Sequence, residues 1–127
     1  MKYLIDTNIF LEILLKQKKR TACKKFLNLH REHIGISDFS LHSIGVILFR
    51  QKKENIFLKF LNDLLPDIKI ISLPAGKYGD LVKRKKKSLL DFDDSYQFEV
   101  AKSHNLEIAT MDRDFEKACD EVKVIFI

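Results

Sequence analysis

Tyr3, Leu4 and Ile5 form an apolar run that stops at Asp6, and this predicts a short buried strand over residues 2–5. Apolar residues then return at helical spacing, predicting helices over residues 8–16 and 20–30, the second with Cys23, Phe26, Leu27 and His30 on one side. "HIGIS" (33–37) predicts a strand ending at a Ser or Asp cap, followed by a helix over 38–52. "ENIFLKFLNDLLP" predicts a further helix stopped by Pro66. The β-branched content of "IKIISL" (68–73) predicts a third strand, and helices follow over roughly 75–88 and 92–104. "LEIAT" (106–110) is strand-like, "RDFEKACDE" a short helix and "VKVIFI" a closing strand.

Five strands separated by helices predict an α/β domain with a mainly parallel sheet. Right-handed crossovers bring the C-terminal ends of parallel strands to one edge, where ligands bind in open sheets of this kind. The 127 residues fit a single domain, 1–127, with no internal repeat or low-complexity tract. The longest apolar runs are too short to span a membrane, and Asp6 and Glu12 interrupt the N-terminal one, which argues against a signal peptide. Cys23 and Cys119 form no C-x-x-C pair, so reduced, buried thiols in a cytoplasm are expected.

Charge adds a second layer. The net +5 is clustered at Lys16–Arg20, Lys24–Lys25, Arg50–Lys53 and Lys83–Lys87. Such clusters suit a polyanion, but from charge alone a solvated lysine face is the favoured reading, and nucleic acid gains ground only with acidic, metal-binding chemistry nearby. The acids are more telling. Asp6 follows the first strand, Asp112 follows "LEIAT", and Asp91, Asp93 and Asp94 open the helix before it. Singly, each has a structural explanation: Asp6 or Asn8, Asp91 and Asp112 could cap helices, and the helix dipole would favour Asp94 in a first turn. Together at one sheet edge they would repel one another unless a cation sat between them, and hard oxygen ligands suit Mg²⁺ or Mn²⁺. The four glycines form no phosphate-binding loop, there is no G-x-S-x-G elbow, and His30 and His33 lack further zinc ligands.

With "LIDTNIF" and "DFDDSYQFEVAKSHNLEIATMDRDF", and with this order of elements over essentially its whole length, the chain resembles the PIN domains, specifically the small VapC-type toxins. The resemblance implies a three-layer α/β/α sandwich with strands ordered 3-2-1-4-5, and an acidic pocket that binds Mg²⁺ or Mn²⁺ and cleaves RNA. By motif, Asp6, Asp94 and Asp112 match the first, third and fourth acids of the family. Thr7, Asn8 and Thr110 match its orienting polar groups, Asp114 is an accessory acid, and Asp91 and Asp93 are weaker candidates. The family's second acid is a Glu; here that position is Ser43, preceded by His42, which could pair with Asp38 one turn earlier.

The resulting expectation is a metal-dependent endoribonuclease, the toxin of a toxin–antitoxin pair, with RNA as substrate and a cognate antitoxin as partner. Ile9, Phe10, Leu11, Ile13, Leu14 and Leu15 make the first helix apolar around much of its girth, which leaves room for an antitoxin or homodimer contact. The absent Glu favours an alternative, a PIN-like domain without catalysis that binds RNA or protein. A haloacid-dehalogenase-like phosphatase would need an Asp where Asn8 stands.

Overall fold

A computed structural model of the protein describes every residue except Cys119, and the backbone alone at Ala118; the thiol expected at Cys119 lies outside the described residues. The chain runs β1 (Tyr3–Ile5), α1 (Thr7–Leu14), α2 (Arg20–Leu29), β2 (Ile34–Ser37), α3 (Asp38–Arg50) and α4 (Glu54–Asp63). It continues with β3 (Lys69–Ile71), α5 (Gly79–Ser88), α6 (Phe92–Ser103), β4 (Glu107–Thr110) and β5 (Val124–Phe126). The five strands form one sheet in the order β3-β2-β1-β4-β5, and every pairing is parallel.

Strand alternation makes the sheet two-faced. Tyr3 and Ile5 of β1 join Ile34 and Ile36 of β2 and Ala109 of β4 in one core, closed by Ile9, Phe10, Ile44, Leu48 and Phe60 from the helices. Leu4 and Ile108, which are paired neighbours in β1 and β4, face the other way into a core with Leu81, Phe98, Val100 and Phe115. Burial on both faces explains the near-continuous apolar strands. Phe10 and Phe60, both fully buried, meet edge to face with ring centroids 5.6 Å apart. Much of the apolar girth of α1 is taken up by this packing, since Leu11, Ile13, Leu14 and Leu15 also pack against the first core.

The helix predicted over 75–88 is divided: a 3-10 turn at Ala75–Lys77 precedes α5, which starts at Gly79. "RDFEKACDE" begins as a 3-10 helix, Arg113–Ala118. Pro66 sits in a 3-10 turn, Leu65–Asp67, just beyond α4, in keeping with its role as a stop. Among the described residues no helix is long and apolar enough to cross a membrane.

The sharpest departure from the pattern lies in the basic run 83–87. Arg84 is buried on the inward side of α5, with Leu81 and Ser88. Its Nε donates to Glu99 Oε1 at 3.3 Å and its Nη1 to Glu121 Oε2 at 2.5 Å, while the guanidinium carbon lies 3.9 Å from the Phe98 ring centre. The Lys102 ammonium reaches the other Glu121 oxygen at 3.3 Å. Arg84, Lys102 and their hydrogen bonds hold the Glu121 carboxyl down at about 2. Arg84 is thus a clasp between α5, α6 and the segment before β5, and it is withdrawn from the surface charge. Lys83 and Lys87 also have acidic neighbours, Asp80 and Glu121, so Lys85 and Lys86 are the exposed cations of the run that form no ion pair among the described residues.

Candidate functional site

Because all strands run the same way, the segments leaving β1, β2 and β4 emerge at one edge. A cleft of about 250 Å³ opens there, lined by residues including Asp6, Thr7, Asn8, Ser43, Asp94, Gln97 and Asp112. Asp93 also lines it. Asp94, Asp112 and Asp114 each offer an oxygen within 4.8 Å of the others, with Asp114 the exposed member. Asp6 lies outside that trio, buried to 7% exposure.

The capping explanation and the cleft are compatible. Asp6 is the N-cap of α1: its Oδ1 accepts from Thr7 N at 2.8 Å. Oδ1 also accepts from Gln97 Nε2 at 3.2 Å, and Oδ2 accepts from the Thr110 hydroxyl at 2.7 Å. Thr110 Oγ1 in turn accepts from Asp112 N at 2.9 Å and is 3.5 Å from Asn8 Nδ2. Asn8 Oδ1 accepts from Met111 N at 3.4 Å, and Asp112 Oδ1 from Asp114 N at 2.9 Å. Thr7 donates its hydroxyl to Ser40 Oγ at 2.7 Å. On α6 the division of labour is explicit: Asp91 caps the helix by accepting from Asp94 N at 2.9 Å, leaving the Asp94 side chain to the cleft.

Electrostatics show the cost of the arrangement. The Asp94 carboxyl is pushed up to about 7, first by burial and then by the charges of Asp91, Asp112, Asp6 and Asp114. Burial raises Asp6 as well, against the pull of the Thr110, Gln97 and Thr7 hydrogen bonds, and Asp112 adds repulsion. Burial and Asp91 raise Asp93. Among the described residues neither His nor Cys lines the cleft, so its donors are hard oxygens, a set suited to divalent cations of the Mg²⁺ kind and unsuited to structural zinc.

Ser43 lines the acidic cleft, whereas His42 faces a different one with Asp38, Gly45, Phe49 and Phe57. The pairing of Asp38 with His42 is not formed: Asp38 Oδ1 instead accepts from the Tyr96 hydroxyl at 2.6 Å and from Phe39 N at 2.8 Å. Tyr96 OH accepts from Leu73 N at 3.1 Å, so it ties α6 to both neighbouring segments. Four site-building residues are not apparent from the sequence motifs: Gln97, Ser37, Ser40 and Tyr96. The available signal is spacing, because Gln97 follows Asp94 by three residues and so shares its helix face.

Residues 3–121 match the PIN domain family. No curated protein matches the chain. Among solved structures, VapBC2 from Rickettsia felis bound to a promoter DNA fragment is 21% identical, covering 100% of this chain and 99% of that one with a TM-score of 0.80. A toxin–antitoxin complex from Klebsiella pneumoniae is 22% identical, covering 90% of each chain, TM-score 0.72. VapC20 from Mycobacterium tuberculosis, a sarcin–ricin loop cleaving toxin, is 11% identical over 95% of this chain and 96% of that one, TM-score 0.74. At these identities the likeness is one of fold.

Proposed function

As the chain belongs to the PIN domain family, we propose that it is a Mg²⁺- or Mn²⁺-dependent endoribonuclease, the toxin of a toxin–antitoxin pair acting in the cytoplasm. One observation carries this reading: carboxylates from the end of β1, from α6 and from the segment after β4 meet in one cleft at the C-terminal sheet edge. Asp6, Asp94 and Asp112 would hold the cation, with Asp114 beside them. Thr7, Asn8 and Thr110 would orient those carboxylates. Bound there, the cation would supply a Lewis acid for a phosphodiester and lower the pKa of water. Hydrolysis by in-line attack would leave a 5′-phosphate and a 3′-hydroxyl. Exposed lysines such as Lys85 and Lys86 would guide the RNA backbone toward the acids, each neutralised phosphate releasing counterions. The likeness to toxins solved with antitoxins supports a protein partner, either a cognate antitoxin or a second copy of the chain.

A binding module without catalysis is the second reading, favoured by the neutral Ser43 lining the cleft in place of an acid. The test is cleavage of an RNA oligonucleotide library by the purified protein with Mn²⁺ or Mg²⁺, with EDTA as control and end-group analysis of the products. Metal-dependent cleavage that disappears in Asp112→Asn supports the enzyme. RNA binding without cleavage by the wild-type protein overturns it in favour of the module.

A further inference from the structure

We propose that Gln97, buried on α6, is the positioning residue that sets Asp6 to bind a cation through one lone pair of Oδ2. This rests on the metal-dependent reading of the cleft. Gln97 is 1% exposed, and an amide buried so deeply is costly unless its hydrogen bonds are met. They are met in a way that fixes its direction. Nε2 donates to Asp6 Oδ1 at 3.2 Å and to Ser40 Oγ at 2.7 Å, and Oε1 accepts from Ser37 Oγ at 2.6 Å. An ionised carboxylate only accepts, so the amide must present nitrogen to Asp6. Ser37 accepts from Ser40 N at 3.0 Å as the N-cap of α3 and lies 3.2 Å from Ser40 Oγ. Because Ser40 Oγ already accepts from Thr7 and Gln97, the Ser37 proton goes to Oε1. Ser40 also takes the Thr7 hydroxyl, so α1, α3 and α6 are joined through this one amide.

The consequence follows from counting acceptor positions. A carboxylate offers roughly four, two per oxygen. Thr7 N and Gln97 Nε2 fill both on Oδ1, and Thr110 fills one on Oδ2. The remaining position on Oδ2 belongs to a residue that lines the cleft. Without the Gln97 donor, Oδ1 would hold an unfilled buried acceptor, and the carboxylate would no longer be held in the orientation that leaves this position on Oδ2 unfilled.

The experiment is Mn²⁺ titration calorimetry at fixed pH on the full chain, comparing wild type with Gln97→Met, Gln97→Asn and Tyr96→Phe. Gln97→Met keeps the bulk and removes the donor; Gln97→Asn keeps an amide but withdraws it from Asp6, which guards against a failure to fold. Tyr96→Phe removes the hydroxyl that bonds Asp38 and Leu73 and leaves Asp6 untouched. Both Gln97 variants should bind Mn²⁺ about ten-fold more weakly, the lower end of the range for outer-shell partners, with Tyr96→Phe close to wild type. Folded Gln97 variants with wild-type affinity overturn the proposal, as does an equal weakening in Tyr96→Phe. A wild-type protein that binds no Mn²⁺ overturns the metal-dependent reading itself, and this inference with it.

Discussion

Asp94→Asn offers a direct measure of how strained the acidic cleft is. The carboxyl is pushed from an ordinary 3.8 up to about 7, by burial and by four neighbouring acids. The sign follows from proton counting. Below pH 3.8 both folded and unfolded chains hold the proton; between that value and about 7 only the folded chain does. The unfolded state then binds fewer protons, so stability falls as pH rises, and the loss is complete once pH passes the folded value. The full interval would be worth ~4 kcal/mol at about 1.36 kcal/mol per pKa unit. Asp94 is only partly buried, and solvent screening reduces the expected loss to about 1–2 kcal/mol. Asn at this position cannot titrate. Urea unfolding in chelator from pH 4 to 8 should therefore show wild type losing about 1–2 kcal/mol relative to Asp94→Asn. On the metal-dependent reading, a cation bound only by the folded cleft stabilises it, so saturating Mn²⁺ at neutral pH should restore more stability to wild type than to the variant. Parallel stability curves for the two proteins across the whole range would refute the argument that crowding strains this carboxylate.

Three further outcomes are expected. Arg84→Met should cost about 3–5 kcal/mol in chemical denaturation, because Glu99 is left buried without its partner, whereas adding Glu99→Met should recover most of that stability. Ser43→Glu should tighten Mn²⁺ binding by calorimetry, since affinity for hard cations follows ligand charge and Ser43 lines the cleft. Charge reversal at Lys85 and Lys86 should weaken RNA binding across sequences and lower the salt slope by roughly 1 for each phosphate no longer neutralised, and an unchanged slope would mark them as solvated only.

The acids at strand ends are legible in the sequence because parallel topology alone dictates where strand C-termini gather; Asp6 and Asp112 need only the strands to be placed. Asp91 and Asp94 are visible as a group, with Asp91 offered as a cap and Asp94 as the acid of the motif; in α6, Asp91 caps and Asp94 lines the cleft. The basic run misleads at one position. A tract of five cations reads as solvent-facing, yet Arg84 shares the Leu81–Ser88 stripe of α5 and can be buried because Glu99 and Glu121, distant in sequence, neutralise it. Asp38 has a local candidate partner, His42, at helical spacing, but its actual partner is Tyr96, which no local pattern announces. Gln97 is hidden for the same reason: its partners Asp6, Ser37 and Ser40 meet it only when β1, α3 and α6 have packed together.

The long span between the acids bears on when the cleft can be complete during synthesis. Asp6 is translated well before its hydroxyl partner Thr110, which lies 104 residues downstream, and Asp112 comes two residues later still. At about 5–20 residues per second the ribosome needs roughly 5–20 s to bridge that interval. Parallel pairings between distant segments also form slowly, because loop closure precedes the contacts that reward it. A nascent chain ending before β4 therefore has no complete cleft. A truncated product of interrupted translation should be harmless to RNA, whatever the chain that includes β4 does.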